Sequence, residues 1–239
     1  MNEKDYLLRY KGYISAEDEK ALAQEYPVQY LVGQVDFHNV AIFVTPDVLI
    51  PRFETELLVE KLIHYIDTNN LETGKVLEIG TGSGCIAIAL KKARPQLQVT
   101  ATDICPRALA IARQNAKHNE VTINFIVSDL FSEITGTYDV IVSNPPYLGE
   151  NEEIMPKVRK YEPPVALFAD DKGRAVLKKI ISKSVNYLAP KALIALEMGD
   201  KQGESLQNHA KKYYSKAKIL LEKDLQNRLR YIFIINNGG

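Results

Sequence analysis

The feature that most limits what this chain can fold into is a strand that runs straight into glycines and then into a helix. Val76-Leu77-Glu78-Ile79 has the composition of a buried strand, Gly80-Thr81-Gly82-Ser83-Gly84 breaks it, and residues 86–93 read as a helix. A strand that feeds a helix crosses over before it meets its next neighbour, so the neighbour is parallel. The alternation continues. Strands are expected at 99–102, 122–127, 138–142 and 192–198, and helices at 106–118, 173–188 and 203–214, with Pro106 in a first helical turn. The last two strands, 217–221 and 229–235, are joined only by a charged turn, which implies an antiparallel edge. The expected fold class is α/β: a mostly parallel seven-stranded sheet with helices on both faces.

What precedes the sheet is of another kind. Residues 1–30 read as helical, with Ser15-Ala16-Glu17-Asp18 as a capped helix start. Residues 35–44 read as a small hairpin around Asn39, ended by Thr45-Pro46-Asp47. Leu49-Ile50-Pro51-Arg52 is extended, and residues 53–66 form an amphipathic helix with Leu57, Leu58, Leu62, Tyr65 and Ile66 on one side. The expected division is a short helical segment at 1–34, a hairpin connector at 35–47 and the main domain at 48–239.

Composition removes several functions. Thirty basic residues balance thirty acidic ones, which argues against a protein held mainly by phosphates, and no direct nucleic-acid binding is expected. No apolar run has the length of a membrane span and no signal peptide opens the chain. Cys85 and Cys105 form no Cys-x-x-Cys pattern, and the four histidines lack metal-ligand spacing. A cytoplasmic protein without a metal is expected.

Ligands of open α/β sheets bind beyond the carboxyl ends of the strands, where the glycine loop lies. The dinucleotide fingerprint Gly-x-Gly-x-x-Gly/Ala is not met, because Cys85 takes the place of the third glycine. Gly-x-Gly-x-Gly after an acid is the pattern of enzymes that use S-adenosylmethionine (SAM). SAM has no phosphate, and Glu78 suits its cationic end. Asp103 ends the second strand and can accept from ribose hydroxyls. Ser128-Asp129-Leu130-Phe131 follows the third; Asp129 can accept from an adenine amino group and Phe131 can cover the ring. Taken singly, Asp103 reads equally as a helix cap and Phe131 as a core aromatic.

The fourth strand ends in Asn144-Pro145-Pro146-Tyr147. Two prolines cannot continue a strand, so the turn is rigid and presents one amide and one aromatic ring. Asn both donates and accepts, and the proline carbonyls lack ladder partners, which suits a flat group with donors and acceptors. The alternative is a turn that only ends a strand.

Together these residues resemble the SAM-dependent methyltransferases of amide and exocyclic amino nitrogens. Further segments narrow the likeness: Pro27-Val28-Gln29-Tyr30-Leu31-Val32-Gly33, Thr45-Pro46-Asp47 through Pro51-Arg52-Phe53-Glu54-Thr55-Glu56, Tyr161-Glu162-Pro163 with Ala166-Leu167-Phe168-Ala169, and Leu196-Glu197-Met198-Gly199. These are similar to segments of the release factor glutamine methyltransferases, from about Pro27 to Tyr231. The resemblance implies a Rossmann-like SAM-dependent methyltransferase fold, S-adenosylhomocysteine as product, and a peptide chain release factor as protein substrate, methylated on the glutamine of a Gly-Gly-Gln loop. It implies that Gly80, Thr81, Gly82, Ser83 and Gly84 hold the methionine part, that Asp103 binds the ribose, and that Phe131 stands where relatives often have Trp. Asn144, Pro145, Pro146 and Tyr147 would hold the glutamine amide. Phe53 departs from the Pro frequent there. Relatives carry a larger helical N-terminal domain, whereas about 26 residues precede Pro27 here. A monomer is expected.

In the expected chemistry Asn144 Oδ1 and the Pro145 carbonyl accept the two amide N–H bonds, Tyr147 packs on the amide, and no general base acts. The rivals are adenine N6-methylation in nucleic acid on the same turn, methylation of a ribosomal-protein glutamine, a nicotinamide oxidoreductase, and a non-catalytic binding module.

Overall fold

The computed structural model describes residues 2–237. Three short helices open the chain: α1 (Glu3–Lys11), α2 (Ala16–Ala23) and α3 (Val28–Val32). The first two begin with reciprocal capping boxes, Asn2 with Asp5 and Ser15 with Asp18, which satisfy helix-end donors that a short helix must otherwise expose. Lys11 Nζ lies 2.8 Å from both Asp18 carboxylate oxygens and ties α1 to α2.

A hairpin follows, β1 (Gln34–Phe37) against β2 (Val40–Phe43). Its two-residue turn uses His38 and Asn39, both at positive φ (40° and 64°), the left-handed pair that matches strand twist. Its buried face, with Val35, Phe37, Val40 and Ile42, belongs to the same core as the helices on one side of the main sheet.

Then come α4 (Phe53–Thr68), β3 (Lys75–Ile79), α5 (Cys85–Ala93), β4 (Gln98–Asp103), α6 (Pro106–His118), β5 (Asn124–Val127) and β6 (Tyr138–Ser143). They are followed by α7 (Pro156–Tyr161), α8 (Pro164–Leu167), α9 (Ala175–Ser184), β7 (Leu188–Glu197), α10 (Gly203–Lys211), β8 (Lys218–Lys223) and β9 (Leu229–Asn237). The seven-stranded sheet has the order β5-β4-β3-β6-β7-β9-β8. β3 through β7 pair in parallel, and β9 runs antiparallel between β7 and β8. The expected mostly parallel sheet with an antiparallel C-terminal edge is the sheet observed. The chain walks from β3 outward to β5, then returns to place β6 on the other side of β3. That reversal opens a crevice at the carboxyl ends of β3 and β6, the switch point where α/β sheets bind ligands.

Three details differ from the sequence reading. Helix α9 is shorter than 173–188, because Gly173 sits at φ +81° and Leu188 already pairs with Tyr138 in β7. Helices α7 and α8 were not anticipated; each is short and opens with a proline at its first turn. On α4 the buried residues are Thr55, Leu58, Val59, Leu62 and Ile66, with Leu57 and Tyr65 only partly covered. The apolar stripe is therefore rotated toward Thr55, a polar residue in a buried position. Among the described residues no helix is long and apolar enough to cross a membrane, and no cluster of side chains could hold a metal ion.

Candidate active site

A cavity of about 280 Å³ lies at the switch point. The glycine loop forms its floor. Gly80 and Gly82 sit at φ 69° and 54°, a region that disfavours side chains, and a methyl group at either would meet no atom within 4 Å. Their bareness is thus room for a ligand beside the backbone. Gly84 differs. It does not line the cavity, and a methyl there would lie 3.1 Å from Ala112 Cβ and from Ile88 Cδ1. These contacts give Gly84 a packing reason to be glycine: it lets α5 pack closely on α6.

The loop is held by its acids. Glu78 Oε2 accepts from Thr81 Oγ1 at 2.6 Å and from the Ala87 N–H at 3.0 Å. Burial pushes the Glu78 carboxyl up to about 8, against those two donors. Asp103 Oδ2 accepts from the Gly82 N–H at 2.8 Å, and Oδ1 from the Cys105 N–H at 2.9 Å. Burial raises its pKa as well, opposed by the backbone donors. Both carboxyls line the cavity and retain lone pairs for a ligand. Behind the loop, Asn115 donates from Nδ2 to the Ser83 and Phe43 carbonyls and accepts from the Phe43 N–H, locking the hairpin to the loop.

Asp129, Leu130 and Ile104 also line the cavity. Phe131 does not reach the cavity. It is 2% exposed, and its ring stacks on Tyr187 at 4.6 Å in the core beneath the sheet. The expectation that Phe131 covers an adenine is corrected: Leu130, at φ 53°, turns the backbone so that the leucine faces the cavity and the phenylalanine faces the core.

The turn after β6 closes the site. Ser143 Oγ donates to the Ile79 carbonyl at 2.6 Å, joining the ends of β6 and β3. Asn144, Pro145 and Pro146 line the cavity. Among the described residues, neither Asn144 Oδ1 nor the Pro145 carbonyl receives a hydrogen bond. Asn144 Nδ2 donates to Thr55 Oγ1 at 2.9 Å, and Thr55 Oγ1 donates to Glu197 Oε2 at 2.8 Å. Tyr147 is placed differently from the expectation. It does not line the cavity; its hydroxyl donates to Glu197 Oε1 at 3.1 Å, and its ring packs against the core. Burial beside Glu197 pushes the Tyr147 phenol far above its usual range. Burial likewise pushes Glu197 up to about 7. Behind the turn, Gln202 Nε2 donates to the Tyr147 carbonyl at 2.8 Å, and a methyl on Gly173 would lie 2.0 Å from that oxygen.

Two further segments line the cavity: Asp47, Val48, Leu49 and Pro51 from one, and Pro163, Val165, Ala166 and Phe168 from the other. They are clamped together by buried Glu162, which accepts from the Ile50 N–H at 3.1 Å and pairs with Arg52. Thr55, Glu162 and Glu197 all carry weight that sequence reasoning did not give them. The signal for Glu197 is position: it ends β7, the neighbour of the strand that leads into Asn144, as Asp103 ends β4.

The lining includes four acidic side chains, Asp47, Glu78, Asp103 and Asp129, and no lysine, arginine or histidine. A pyrophosphate would find no cationic partner here, whereas a ligand with an ammonium and a sulfonium finds acidic acceptors and no like charge. The residues present therefore fit SAM and do not fit a nicotinamide dinucleotide.

Known proteins agree with this geometry. The Methyltransferase small domain family model matches residues 53–159. The release factor glutamine methyltransferase of Streptococcus pneumoniae is 42% identical over 94% of this chain and 84% of its own length. Among solved structures, a release factor-specific protein-(glutamine-N5) methyltransferase from Alicyclobacillus acidocaldarius is 26% identical, with a TM-score of 0.51 over 81% of this chain and 98% of that one. A ribosomal protein L11 methylase from Lactobacillus delbrueckii has a TM-score of 0.58 at 21% identity, over 81% of this chain and 83% of its own, a likeness of fold alone. The extent and level of identity to the curated relatives decide the matter: this chain belongs to the release factor glutamine methyltransferase family of SAM-dependent enzymes.

Proposed function

We propose that this protein methylates the side-chain nitrogen of a glutamine in the Gly-Gly-Gln loop of a peptide chain release factor. The observation that carries the reading is the pair of free acceptors, Asn144 Oδ1 and the Pro145 carbonyl, at the rim of a cavity whose charge suits SAM. A glutamine amide has two N–H bonds to give, and these two oxygens would take them. An amide nitrogen is a weak nucleophile because its lone pair is shared with the carbonyl. Two acceptors orient the nitrogen and raise its electron density. SAM, when bound, supplies an electrophilic methyl group on its sulfonium. Glu78, Asp103 and the bare loop at Gly80 and Gly82 would hold the donor, and Leu130 and Ile104 would flank its purine. Fixing both reactants contributes on the order of 7–11 kcal/mol in favourable systems. An ester or acid in place of the amide would leave an acceptor unmatched, which gives selectivity.

Residues of the 47–51 and 163–168 segments line the cavity beside the Asn144 turn, where a protruding protein loop would enter. No basic residue lines it, which favours a protein loop over a nucleic-acid strand. Incubation with methyl-labelled SAM and, separately, a purified release factor, ribosomal protein and DNA tests the reading. Label is expected on the release factor alone; label on DNA or ribosomal protein alone would overturn it.

A further inference from the structure

Asn144 can present its oxygen to a substrate only if its amide is held one way round. The two orientations of an Asn amide have the same shape, so sterics cannot choose between them. The structure contains a hydrogen-bond chain that can. Glu197 is fully buried at the end of β7. Glu197, ionised once the pH rises above about 7, then only accepts. Thr55 has a single hydroxyl hydrogen, and at 2.8 Å from Glu197 Oε2 that hydrogen is committed to the carboxylate. Toward Asn144, at 2.9 Å, Thr55 Oγ1 can then only accept. The group facing it must be the Asn144 amine, which leaves Oδ1 turned to the cavity. Tyr147 donates to the other carboxylate oxygen, Oε1, so it reinforces the polarity rather than competing for it.

We infer that Thr55 and Glu197 are positioning residues that set the direction of the Asn144 amide by a one-way hydrogen-bond chain. Neither touches the reacting atoms in this scheme; both act through Asn144. The inference rests on the reading above, in which Asn144 Oδ1 receives the substrate amide. It also explains why α4 buries a threonine at its first turn, where an apolar residue would pack as well. Reversal of the chain would present an N–H to a substrate that itself brings only N–H bonds, a donor facing a donor.

Two measurements test it. The first needs no protein substrate. In protein labelled with 15N at asparagine and bound to SAM, the Asn144 Nδ2 protons are assigned by their loss in Asn144→Ala. One of them is expected downfield and slow to exchange in wild type and in Thr55→Ser, and to lose both properties in Thr55→Val. An Asn144 signal identical in wild type and Thr55→Val would overturn the chain. The second is steady-state methylation of a purified release factor. Thr55→Val is expected to lower kcat roughly 10- to 100-fold with SAM affinity unchanged, Thr55→Ser to restore most of it, and Thr55→Val to add nothing in an Asn144→Ala background. An equal further loss in that background would show that Thr55 acts independently of Asn144 and would overturn the role. If wild type binds SAM but labels no release factor, the substrate reading fails, while the resonance experiment still judges the chain.

Discussion

Thr55 accepts a hydrogen bond from Asn144 Nδ2 at 2.9 Å, although 89 positions separate them in the chain. The contact joins the first turn of α4 to the carboxyl end of β6. It ties a helix that precedes the sheet to the turn that ends β6. The two carboxylates that organise this region, Glu78 below the cavity and Glu197 behind the turn, are both buried and both held well above the ordinary carboxylate range by that burial.

The pH dependence of stability follows from Glu78. Its folded carboxyl titrates at about 8, against an ordinary value of 4.5. Between those values the unfolded chain has released a proton that the folded one retains, so this group's contribution is fully present below 4.5 and is lost as pH rises through 8. Glu78→Gln keeps both acceptor contacts without the charge. In protein free of SAM, the variant's melting temperature relative to wild type is expected to rise from pH 5 to pH 8 by more than about 2 °C. A difference that stays flat across that interval would remove the buried charge from the account.

The glycines of the loop separate by role. Gly82→Ala places a methyl in the cavity and is expected to weaken SAM binding roughly tenfold or more, beyond the strain of about 1–2 kcal/mol for a left-handed alanine. Gly84→Ala presses on Ala112 and Ile88, so its main effect is expected in the melting temperature, with SAM affinity of the folded protein within about twofold of wild type. Calorimetric titration and thermal unfolding of both variants distinguish these outcomes. Equal losses of affinity would place Gly84 at the ligand after all.

Phe131→Ala is a stability variant in this structure. Removing a ring stacked in the core costs about 3–5 kcal/mol, and SAM affinity measured on the folded fraction is expected to change little. Leu130→Ala should do the reverse, since Leu130 lines the cavity. Affinity that falls for Phe131→Ala and not for Leu130→Ala would restore the phenylalanine to the purine site.

The sheet was legible because its signal is local. The strand at Val76, the glycines and the helix after them fix a crossover by chain geometry, strands and helices go on alternating to α10, and the bare charged turn between β8 and β9 marks the antiparallel edge. The charge logic of Glu78 and Asp103 was legible for the same reason, since strand ends are where such sheets bind ligands. Side-chain direction was not. Phe131 and Leu130 are neighbours, and only the positive φ of Leu130 decides which one faces the cavity. Tyr147 shares a motif with Asn144, yet its hydroxyl is claimed by Glu197 from a strand 50 positions later. Thr55 has no local signal for its role, because its two partners, Asn144 and Glu197, come from distant segments. Contacts set by tertiary packing leave no periodicity in the chain.

The central claim is that the Asn144 turn receives a glutamine amide beside bound SAM. The most direct measurement is to treat a purified release factor with SAM and either wild type or Asn144→Ala, with SAM binding measured in parallel, and to locate the added methyl by fragmentation mass spectrometry. One methyl on the side-chain nitrogen of the Gly-Gly-Gln glutamine is expected with wild type, and a rate reduced by roughly 100-fold or more with Asn144→Ala, at SAM affinity within a few-fold of wild type. A methyl found elsewhere, or transfer by Asn144→Ala at close to the wild-type rate, would contradict the account.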